Sequence, residues 1–543
     1  MRVARAAGGT CTLAAVLAFS AAGAPSASPV EGAAEADIAI RGATVFDGSS
    51  SEAIAGDIVV RADRIVYVGP HSQDPFRARR ALDAAGLIAA PGFIDPHTHP
   101  DGLGTTNDDR ARLVTPWLMQ GVTSIFVGVD GAGPPAHPDD VAGFFRAIDA
   151  RPTGVNVATY VGFGAVRAHV LGDNARAPSP AELERMGGLV ARGMCDGALG
   201  LSTGLFYSPQ SFATTEEVVA LARVAARHGG IYDSHLRDES SYTVGLLAAV
   251  KEAIKIGHDA GLPVHIAHIK ALGVDVQGKA VDVISLIEAA RGRGQNVTAD
   301  QYPWNASGTS LEASLVPRWA FDGGRRRMLA RLDDPSLKAQ LQSEMADNLR
   351  RRGGGEALMP IAAGRPWSGL RLSEIAGRWG VTPLDAALRI IREQPDDTAA
   401  ISFNMADDDI ERFMRQPWVV TSSDGSSGHP RMYATFPRKY AVYVNEKHVL
   451  TLAEFINASS GRTADQFGLE HRGHLRAGDF ADVVVFDPLR YRPGADYAHP
   501  AVPAEGVVWV LVNGKVAVER GEVTGVAAGR ALRRNSPERC AGS

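Results

Sequence analysis

Cysteine is scarce in this sequence, with three residues among 543. They stand at Cys11, Cys195 and Cys540, and no two of them form a Cys-x-x-Cys pair. This spacing excludes a thiolate zinc site and a dithiol redox motif. Cys11 falls within a predicted export signal, so Cys195 and Cys540 remain for one disulfide, which the sequence alone does not decide.

An excess of positive charge is also missing, because 61 acidic residues stand against 56 basic ones and the net charge is -5. Nucleic-acid-binding proteins show a basic excess or basic tracts. The arginine-rich stretches GGRRRMLAR and NLRRRGGG are short and have acids nearby, which is typical of a solvated helix face. The composition therefore gives no support for a nucleic-acid partner.

Long hydrophobic runs are lacking beyond the N-terminus. There, Arg2 and Arg5 precede the apolar run CTLAAVLAFSAAG and small residues, with a cleavage site after Ala24 or Ala27. This order predicts a signal peptide over residues 1–27. The run is short for a membrane span, and Cys11 precedes it, which argues against a lipoprotein anchor. We expect a secreted or periplasmic protein without membrane contact after signal removal, and its oligomeric state is left open.

The two ends of the remaining chain share one pattern. Residues 37–90 and 470–535 contain short segments that alternate apolar and polar residues, such as DIAIRGATVFDG and FADVVVFDP, joined by glycine and aspartate turns. This pattern predicts a small β-sandwich domain built from both chain ends. The length suits such a domain beside a larger catalytic one.

The middle of the chain, residues 91–469, alternates strand-like runs with helical patterns. The eight candidate strands are LIAAPGFID, TSIFVGVD, NVATYVGF, GALGLSTG, GIYDSHL, PVHIAHI, NVTADQY and WVVTSSD. Eight strands that alternate with helices favour a (β/α)8 TIM barrel. The long interval between the seventh and eighth strands, about residues 310–416, carries further helical patterns and predicts an insertion or lid.

Polar residues collect at the ends of these strands, where a barrel places its active site. If the strand continues that far, His97 and His99 point the same way, because side chains two apart share one side of a strand. Alone, such a pair could be two surface or turn histidines. Four further candidates stand at other predicted strand ends, namely Asp130, His235, His268 and Asp424. Their shared position favours a metal site over independent structural roles.

Imidazole and carboxylate ligands are typical of a hydrolytic metal. A bound cation makes hydroxide available near neutral pH. A carboxylate at the edge of the site can take the proton from that water and pass it to a leaving amine. Asp424 is the candidate for this role, and the residues together predict a metal-dependent hydrolase.

At this point the sequence resembles the amidohydrolase superfamily, and within it the N-acyl-D-amino-acid deacylase (D-aminoacylase) family. PGFIDPHTHPD is similar to the superfamily's first-strand motif. GALGLSTGLFYSP, SHLRDE, HIAHIK, TADQYPW and SSDGSSGHPRMYATFPR are similar to the later deacylase motifs and follow the same order. The resemblance covers residues 37–534, and the ordered set is specific where any single motif is not.

The resemblance implies hydrolysis of the linear amide of an N-acyl-D-amino acid, a small-molecule substrate, with one or two Zn2+ ions or another divalent metal. The implied ligands are His97, His99 and Asp424 at the more exposed position, and His235 and His268 at the tighter one. His268 matches the family ligand better than His265, because Lys270 then follows two residues later. The residues implied for the substrate carboxylate are Lys270, Tyr302 and Arg431, whose groups suit a carboxylate.

The sequence departs from the family pattern at three places. Asp130, in GVDG, stands where many deacylases read GNCG with a cysteine ligand; a carboxylate can bridge or bind such metals, so one or two ions remain open. Phe163 stands where histidine is common, and the loop between Asp424 and Arg431 is short; both are expected to alter the side-chain preference. Barrel strand four offers no lysine for a carbamate bridge, which argues against hydantoinase-like members.

Two other hypotheses remain at this level. The chain could be a D-residue dipeptidase or another amidohydrolase that acts on a cyclic amide, and the character of the side-chain pocket would separate these. It could also be an exported binding protein that kept the fold without catalysis. The intact set of histidines and Asp424 argues against the binding protein.

Overall fold

The computed structural model describes residues 34–100, 102–103, 108–535 and 540. The predicted signal peptide lies outside the described residues. Within them, no helix is both long enough and apolar enough to cross a membrane.

The N-terminal part forms one side of a β-sheet. Its strands are β1 (Ala34–Val45), β2 (Ile54–Arg61), β3 (Arg64–Gly69), β4 (Phe76–Asp83) and β5 (Ile88–Pro91). β1 pairs antiparallel with β2 and parallel with β4 and β5. Residues two apart, such as Ile38 and Ile40, face one apolar core, as alternation in a strand requires.

The barrel begins directly after β5. Its first seven strands are β6 (Phe93–Asp95), β7 (Val122–Val127), β8 (Asn156–Thr159) with its continuation β9 (Val161–Gly162), β10 (Gly200–Gly204), β11 (Ile231–His235), β12 (Val264–Ile266) and β13 (Val297–Gln301). Neighbouring strands pair in parallel. Most strand residues are buried on both faces, which is the pattern of a parallel sheet covered by helices.

Helices separate these strands and cover the barrel. They are α1 (Asp109–Arg112), α2 (Thr115–Leu118), α3 (Val141–Ala150), α4 (Phe163–Leu171), α5 (Pro180–Cys195), α6 (Thr215–Arg227), α7 (Leu246–Ala260) and α8 (Ala280–Gly292). α5 begins at a capping box, in which the Ser179 hydroxyl and the Glu182 carboxylate each accept a backbone N–H of the other residue. α6 buries Val218, Leu221 and Ala225 along one stripe, the spacing of an amphipathic helix.

The insertion follows β13. It holds a small antiparallel sheet of β14 (Ala306–Ser310), β15 (Leu358–Ile361) and β16 (Ala399–Phe403), in the order β14-β16-β15. Its helices are α9 (Leu311–Leu315), α10 (Gly324–Leu332), α11 (Lys338–Arg351), α12 (Leu372–Trp379), α13 (Pro383–Glu393) and α14 (Asp407–Met414). Leu311, Met328, Leu341 and Ile390 belong to an apolar core of its own.

The eighth barrel strand, β17 (Val419–Thr421), pairs with β13. A parallel bridge between Thr98 and Gly425 joins the last strand to the first and closes the barrel. The helices α15 (Arg431–Arg438), α16 (Leu452–Ser459) and α17 (Gly461–Phe467) follow, with a π-helix at Lys439–Glu446 between the first two. Single 3-10 turns lie at His71–Gln73, Gln210–Phe212 and Arg318–Phe321. The predicted TIM barrel is confirmed.

The C-terminal strands complete the first sheet. β18 (Val483–Phe486), β19 (Val507–Val512), β20 (Lys515–Glu519) and β21 (Glu522–Val523) follow one another as antiparallel neighbours. β18 pairs antiparallel with β5, so the described residues of both ends form one sheet of nine strands. The prediction that both chain ends build the small β-domain is confirmed.

The final described segment packs against the end of the barrel at which its strands begin. The Gly529 N–H donates to the Thr153 carbonyl just before β8, and Ala531 forms a bridge with Val157. Cys540 forms a disulfide with Cys195 at the end of α5. The two cysteines that the sequence left open are therefore paired, on the side opposite to the strand ends that carry the histidines.

Candidate metal centre and active site

The predicted metal ligands converge at the end of the barrel where its strands finish. His97 and His99 follow β6, His235 ends β11, and His268 follows β12 by two residues. Asp130 and Asp424 lie three residues beyond β7 and β17. Each side chain thus comes from the loop or strand end that a TIM barrel uses for its active site.

Asp130 lies in the middle of the four imidazoles. Its Oδ1 is 3.5 Å from His97 Nε2, 3.5 Å from His235 Nδ1 and 3.5 Å from His268 Nε2. Its Oδ2 is 3.5 Å from His99 Nε2. One oxygen therefore faces three histidines and the other faces the fourth, which is the arrangement of a carboxylate that can bridge two positions.

Asp424 lies on the side of His97 and His99. Its Oδ1 is 3.3 Å from His99 Nε2 and 3.8 Å from His97 Nε2. Among the four histidines of the site, His99 is the most exposed, with a third of its side chain accessible, whereas His97 is fully buried. These two histidines and Asp424 thus form the outer half of the site, and His235 and His268 form the inner half with their facing nitrogens 3.0 Å apart.

Three of these residues have left-handed backbone, with φ of 55° at Asp130, 34° at His268 and 48° at Asp424. Side chains other than glycine seldom adopt this conformation, and it costs free energy that the surrounding structure must offset. Its recurrence at three converging side chains indicates that their direction is under functional constraint.

The side chains fit a divalent cation. Both ring nitrogens of His97 and Oδ1 of Asp130 are buried without a hydrogen-bond partner among the described residues. Buried polar atoms are rarely left in this state unless a ligand, ion or water satisfies them. Four imidazoles and two carboxylates are a donor set typical of zinc and related ions in hydrolases.

The electrostatics of the site favour a cation. Burial opposes the charge of His99, but Asp130 and Asp424 outweigh it and raise its pKa to about 9. Burial and Lys270 also oppose the charge of His268, whose pKa the surrounding carboxylates nevertheless raise to about 10. The carboxylates thus attract positive charge into this space, and a metal ion that binds here competes with protons.

Asp95, at the end of β6, orients the first histidine. It accepts hydrogen bonds from the backbone N–H of His97 and of Ser423 and from the indole N–H of Trp117. Burial raises the pKa of Asp95 to about 7. These contacts tie the ends of the first and last strands together behind the site.

Glu239 is a site residue that the sequence reasoning did not select. Its Oε1 accepts a hydrogen bond from Lys270 Nζ at 2.5 Å and lies 3.3 Å from His268 Nδ1. Burial opposes its ionisation, but Lys270 and His235 outweigh burial and hold its pKa well below the ordinary value. Its place four residues after His235 in SHLRDE was the signal that could have found it.

The three residues predicted to bind the substrate carboxylate lie together beside Asp424. The Arg431 guanidinium lies 4.9 Å from the Tyr302 ring centroid, and Lys270 Nζ lies 5.8 Å from the same centroid. Arg431 Nη1 lies 2.7 Å from Asp424 Oδ2. His265, the alternative to His268, instead contacts Asp300 and Thr298.

A cavity of about 440 Å³ opens over the site. The barrel contributes the ligands and the aromatic residues Phe206 and Tyr207, and the insertion contributes Ser307, Thr309, Arg352, Ile361 and Ile401 among others. The expectation that Phe163 shapes the substrate preference is wrong, because this residue begins α4 and is buried in the apolar core of the barrel, where it does not line the cavity. The short loop before Arg431 does line it, through Ser426, Ser427, Gly428 and His429.

A barrel with histidine and aspartate side chains grouped at these strand ends is typical of a metal-dependent hydrolase, and the chain belongs to the amidohydrolase family, whose model matches residues 80–518. It is similar to the D-aminoacylase of Alcaligenes xylosoxydans xylosoxydans, with 35% identity over 92% of this chain and 98% of that protein.

Two solved structures extend the comparison. One is D-aminoacylase with a binuclear metal centre, with a TM-score of 0.76 and 32% identity over 92% of this chain and 100% of that one. The other is N-acyl-D-glutamate deacylase from Bordetella bronchiseptica, complexed with zinc and a phosphonate mimic of the tetrahedral intermediate. Its TM-score is 0.77, and it is 30% identical over 92% of this chain and 100% of that one.

Proposed function

We propose that this chain hydrolyses the linear amide of N-acyl-D-amino acids and releases a carboxylate and a free D-amino acid. The observation that carries the proposal is that one cavity is lined by five of the six candidate metal ligands, all except the fully buried His97, next to Lys270, Tyr302 and Arg431. The chain's similarity to D-aminoacylase and to N-acyl-D-glutamate deacylase supports the same substrate class.

His97, His99 and Asp424 would hold one metal position and His235 and His268 the other, with Asp130 between them. When bound there, a divalent cation supplies hydroxide near neutral pH and stabilises negative charge on the acyl oxygen. Lys270 and Glu239 lie behind the inner position, where their contacts with His268 fix the direction of its ring.

Asp424 would move the proton in this proposal. Burial opposes its ionisation, but Arg431 and His268 outweigh burial and hold its pKa well below the ordinary value. The carboxylate is therefore ionised at neutral pH and can accept a proton from the attacking water. Delivery of that proton to the amide nitrogen releases the D-amino acid as a free amine.

The wall formed by Lys270, Tyr302 and Arg431 suits the α-carboxylate of the substrate. Arg431 offers a planar fork and Lys270 an ammonium, and both form charge-assisted hydrogen bonds with carboxylates. Burial raises the pKa of Tyr302 well above its ordinary value, so its phenol remains an O–H donor. This wall orients the amide toward the ligands and toward Asp424.

The test is a screen of paired D- and L-N-acyl amino acids, with free amine release measured with and without added zinc. We expect hydrolysis of the D forms that depends on the metal. Hydrolysis of the L forms alone would overturn the proposal at the level of the substrate. Protein that holds no metal and hydrolyses none of these amides would favour a binding role.

We also propose that the chain is exported. The charged start, short apolar run and small residues of segment 1–27 support this, and the Cys195–Cys540 disulfide is of a kind that persists in oxidising compartments. Expression with the native N-terminus, followed by mass spectrometry of the periplasmic or secreted protein, should find the chain cut after Ala24 or Ala27. Intact protein retained in the cytoplasm would contradict export.

A further inference from the structure

Arg352 is a buried cation in the wall of the active-site cavity. It directly follows α11 in the insertion, and 2% of its surface is exposed. It lines the same cavity as His99, Asp130 and Lys270. A guanidinium so far removed from water is costly unless a group of opposite charge or several hydrogen bonds stabilise it.

The partners of Arg352 are all neutral. Its Nε donates to the hydroxyl of Tyr242, and its Nη1 lies 3.3 Å from Ser402 Oγ and 3.5 Å from Ser307 Oγ. Across the part of the chain that the structure describes, no carboxylate lies within ion-pair distance of it. The three hydroxyls position the guanidinium but leave its charge without a counter-ion.

Arg318 is a second cation close to Tyr242. Its guanidinium lies 3.7 Å from the ring centroid of Phe206, which lines the cavity, and 5.9 Å from that of Tyr242. The Arg352 guanidinium lies 5.5 Å from the same Tyr242 ring. Burial, together with the nearby charge of Arg352, lowers the pKa of Arg318 to about 10.

The hydrogen bonds of Arg318 are also to neutral groups, the carbonyls of Ala313 and Val316. The other charged residues of the cavity differ, because each has an opposite charge. Lys270 binds Glu239 and Arg431 binds Asp424. Asp397, at the mouth, lies 3.3 Å from Arg325. Among the charged side chains that line the cavity in the described part of the chain, Arg352 is therefore the one without an opposite charge within ion-pair distance.

We propose that Arg352, with Arg318 and Tyr242 beside it, binds a second carboxylate of the substrate, distinct from the α-carboxylate. This rests on the proposed deacylase function and names its preferred substrates as dianionic. The carboxylate belongs either to the side chain of an acidic D-amino acid or to a dicarboxylic acyl group. Both sources present the same group to Arg352, and the experiment separates them.

The experiment measures kcat and KM of the zinc-loaded enzyme on matched substrates. N-acetyl-D-glutamate and N-acetyl-D-aspartate are compared with N-acetyl-D-glutamine and N-acetyl-D-asparagine, and N-succinyl-D-leucine with N-acetyl-D-leucine. We expect kcat/KM for a carboxylate-bearing substrate to exceed that of its neutral counterpart by about 10-fold or more, the effect of a charge-assisted hydrogen bond. A preference for glutamate over glutamine, or for aspartate over asparagine, would show that Arg352 binds a carboxylate of the amino-acid side chain. A preference for the N-succinyl over the N-acetyl substrate would show that it binds a carboxylate of the acyl group.

The variant Arg352→Gln should remove this preference. We expect its kcat/KM for the favoured dianionic substrate to fall by about 10- to 100-fold, mainly through KM. N-acetyl-D-leucine should be hydrolysed nearly as before. Arg352→Lys should restore part of the loss. Arg350→Gln is the matched control, because Arg350 lies two residues earlier on the exposed side of α11 and pairs with Asp275.

Equal activity of the wild-type enzyme on the charged and neutral substrates would overturn the inference and leave the deacylase function standing. An equal loss of Arg352→Gln on every substrate would also overturn it, because Arg352 would then only support the fold. If Arg352→Gln does not fold, Arg318→Gln is measured in the same way. If no amide is hydrolysed, calorimetry can still measure the binding of N-acetyl-D-glutamate and of N-acetyl-D-glutamine. Equal affinities would contradict the binding of a second carboxylate by Arg352.

Discussion

Arg431 and Asp424 are in direct contact, with Nη1 of the arginine 2.7 Å from Oδ2 of the carboxylate. The sequence assigned them separate tasks, one to grip the substrate and the other to move a proton. Their contact links the two tasks, because a substrate carboxylate that draws Arg431 toward itself weakens the interaction that keeps the pKa of Asp424 low. Substrate binding would then make Asp424 a stronger base.

Replacement of Asp424 by Asn should abolish most turnover. The asparagine amide keeps the shape of the side chain and one oxygen that can bind a metal, but it cannot accept and deliver the proton. kcat should therefore fall by about 10²- to 10⁴-fold. Metal content, measured by elemental analysis of the purified protein, should stay largely intact because four histidines and Asp130 remain. Full activity in this variant would remove Asp424 as the proton carrier.

Asp130 should be needed for metal occupancy, since its two oxygens face all four histidines. Asp130→Ala should lower the bound zinc per chain and reduce activity by about 10-fold or more. Asp130→Cys should retain bound metal, because a thiolate is also a zinc ligand. Asp139→Ala, at an exposed position in the following loop, is the control. Unchanged zinc and rate in both Asp130 variants would make this residue a bystander.

Lys439 should make stability depend on pH. It is fully buried, donates to the Thr421 hydroxyl, and burial lowers its pKa to about 7 from the ordinary 10.5. Between these values the unfolded chain holds a proton that the folded chain lacks, so this group makes the free energy of unfolding rise with pH. Below about pH 7 the buried Lys439 is protonated in the folded protein as well, and this charge lowers the free energy of unfolding by at most about 5 kcal/mol.

The substitution Lys439→Met removes that penalty. Its gain in the free energy of unfolding over wild type should be larger at about pH 6 than at about pH 10, by roughly 2–5 kcal/mol in denaturant titrations. Lys515→Met, at an exposed strand position, should show no such difference. An equal gain for Lys439→Met at both pH values would contradict the assignment.

The Cys195–Cys540 disulfide should contribute to stability and not to catalysis. Cys540→Ser releases the segment that runs under the barrel, and the lost constraint on the unfolded chain should lower the free energy of unfolding by roughly 2–5 kcal/mol. kcat should be unchanged, because the disulfide lies opposite the strand ends that carry the ligands. A reductant should lower the Tm of wild type to that of the variant and leave the variant unaffected; a similar drop in both would show that another effect operates.

Much of the site was predictable because a barrel converts sequence order into spatial position. Polar residues at the ends of eight recognised strands had to meet, so His97, His99, His235, His268 and Asp424 could be grouped without coordinates. The same rule could not give their separations. That Asp130 lies equally far from four imidazoles depends on the left-handed turn after β7, which sequence spacing does not show.

The residues that sequence reasoning missed or misjudged depend on packing. The loop after β11 brings Glu239 to 3.3 Å from His268, and Phe163, at the start of α4, is buried in the apolar core. Arg352 reaches the cavity only because the insertion folds against the barrel. These directions are set by tertiary contacts between segments far apart in the chain, which no local pattern encodes.

The pairing of β5 with β18 requires that an early strand of the chain wait for a late one before its edge is paired. Val483, Val484 and Val485 lie opposite Pro91, Ala90 and Ala89, immediately before the strand that delivers His97. The candidate ligands His97 and His99 thus follow a strand whose edge is completed by residues nearly four hundred positions later. A ribosome must have made most of the protein before this edge is covered, so the chain should gain metal affinity late, as one of the last events of its maturation.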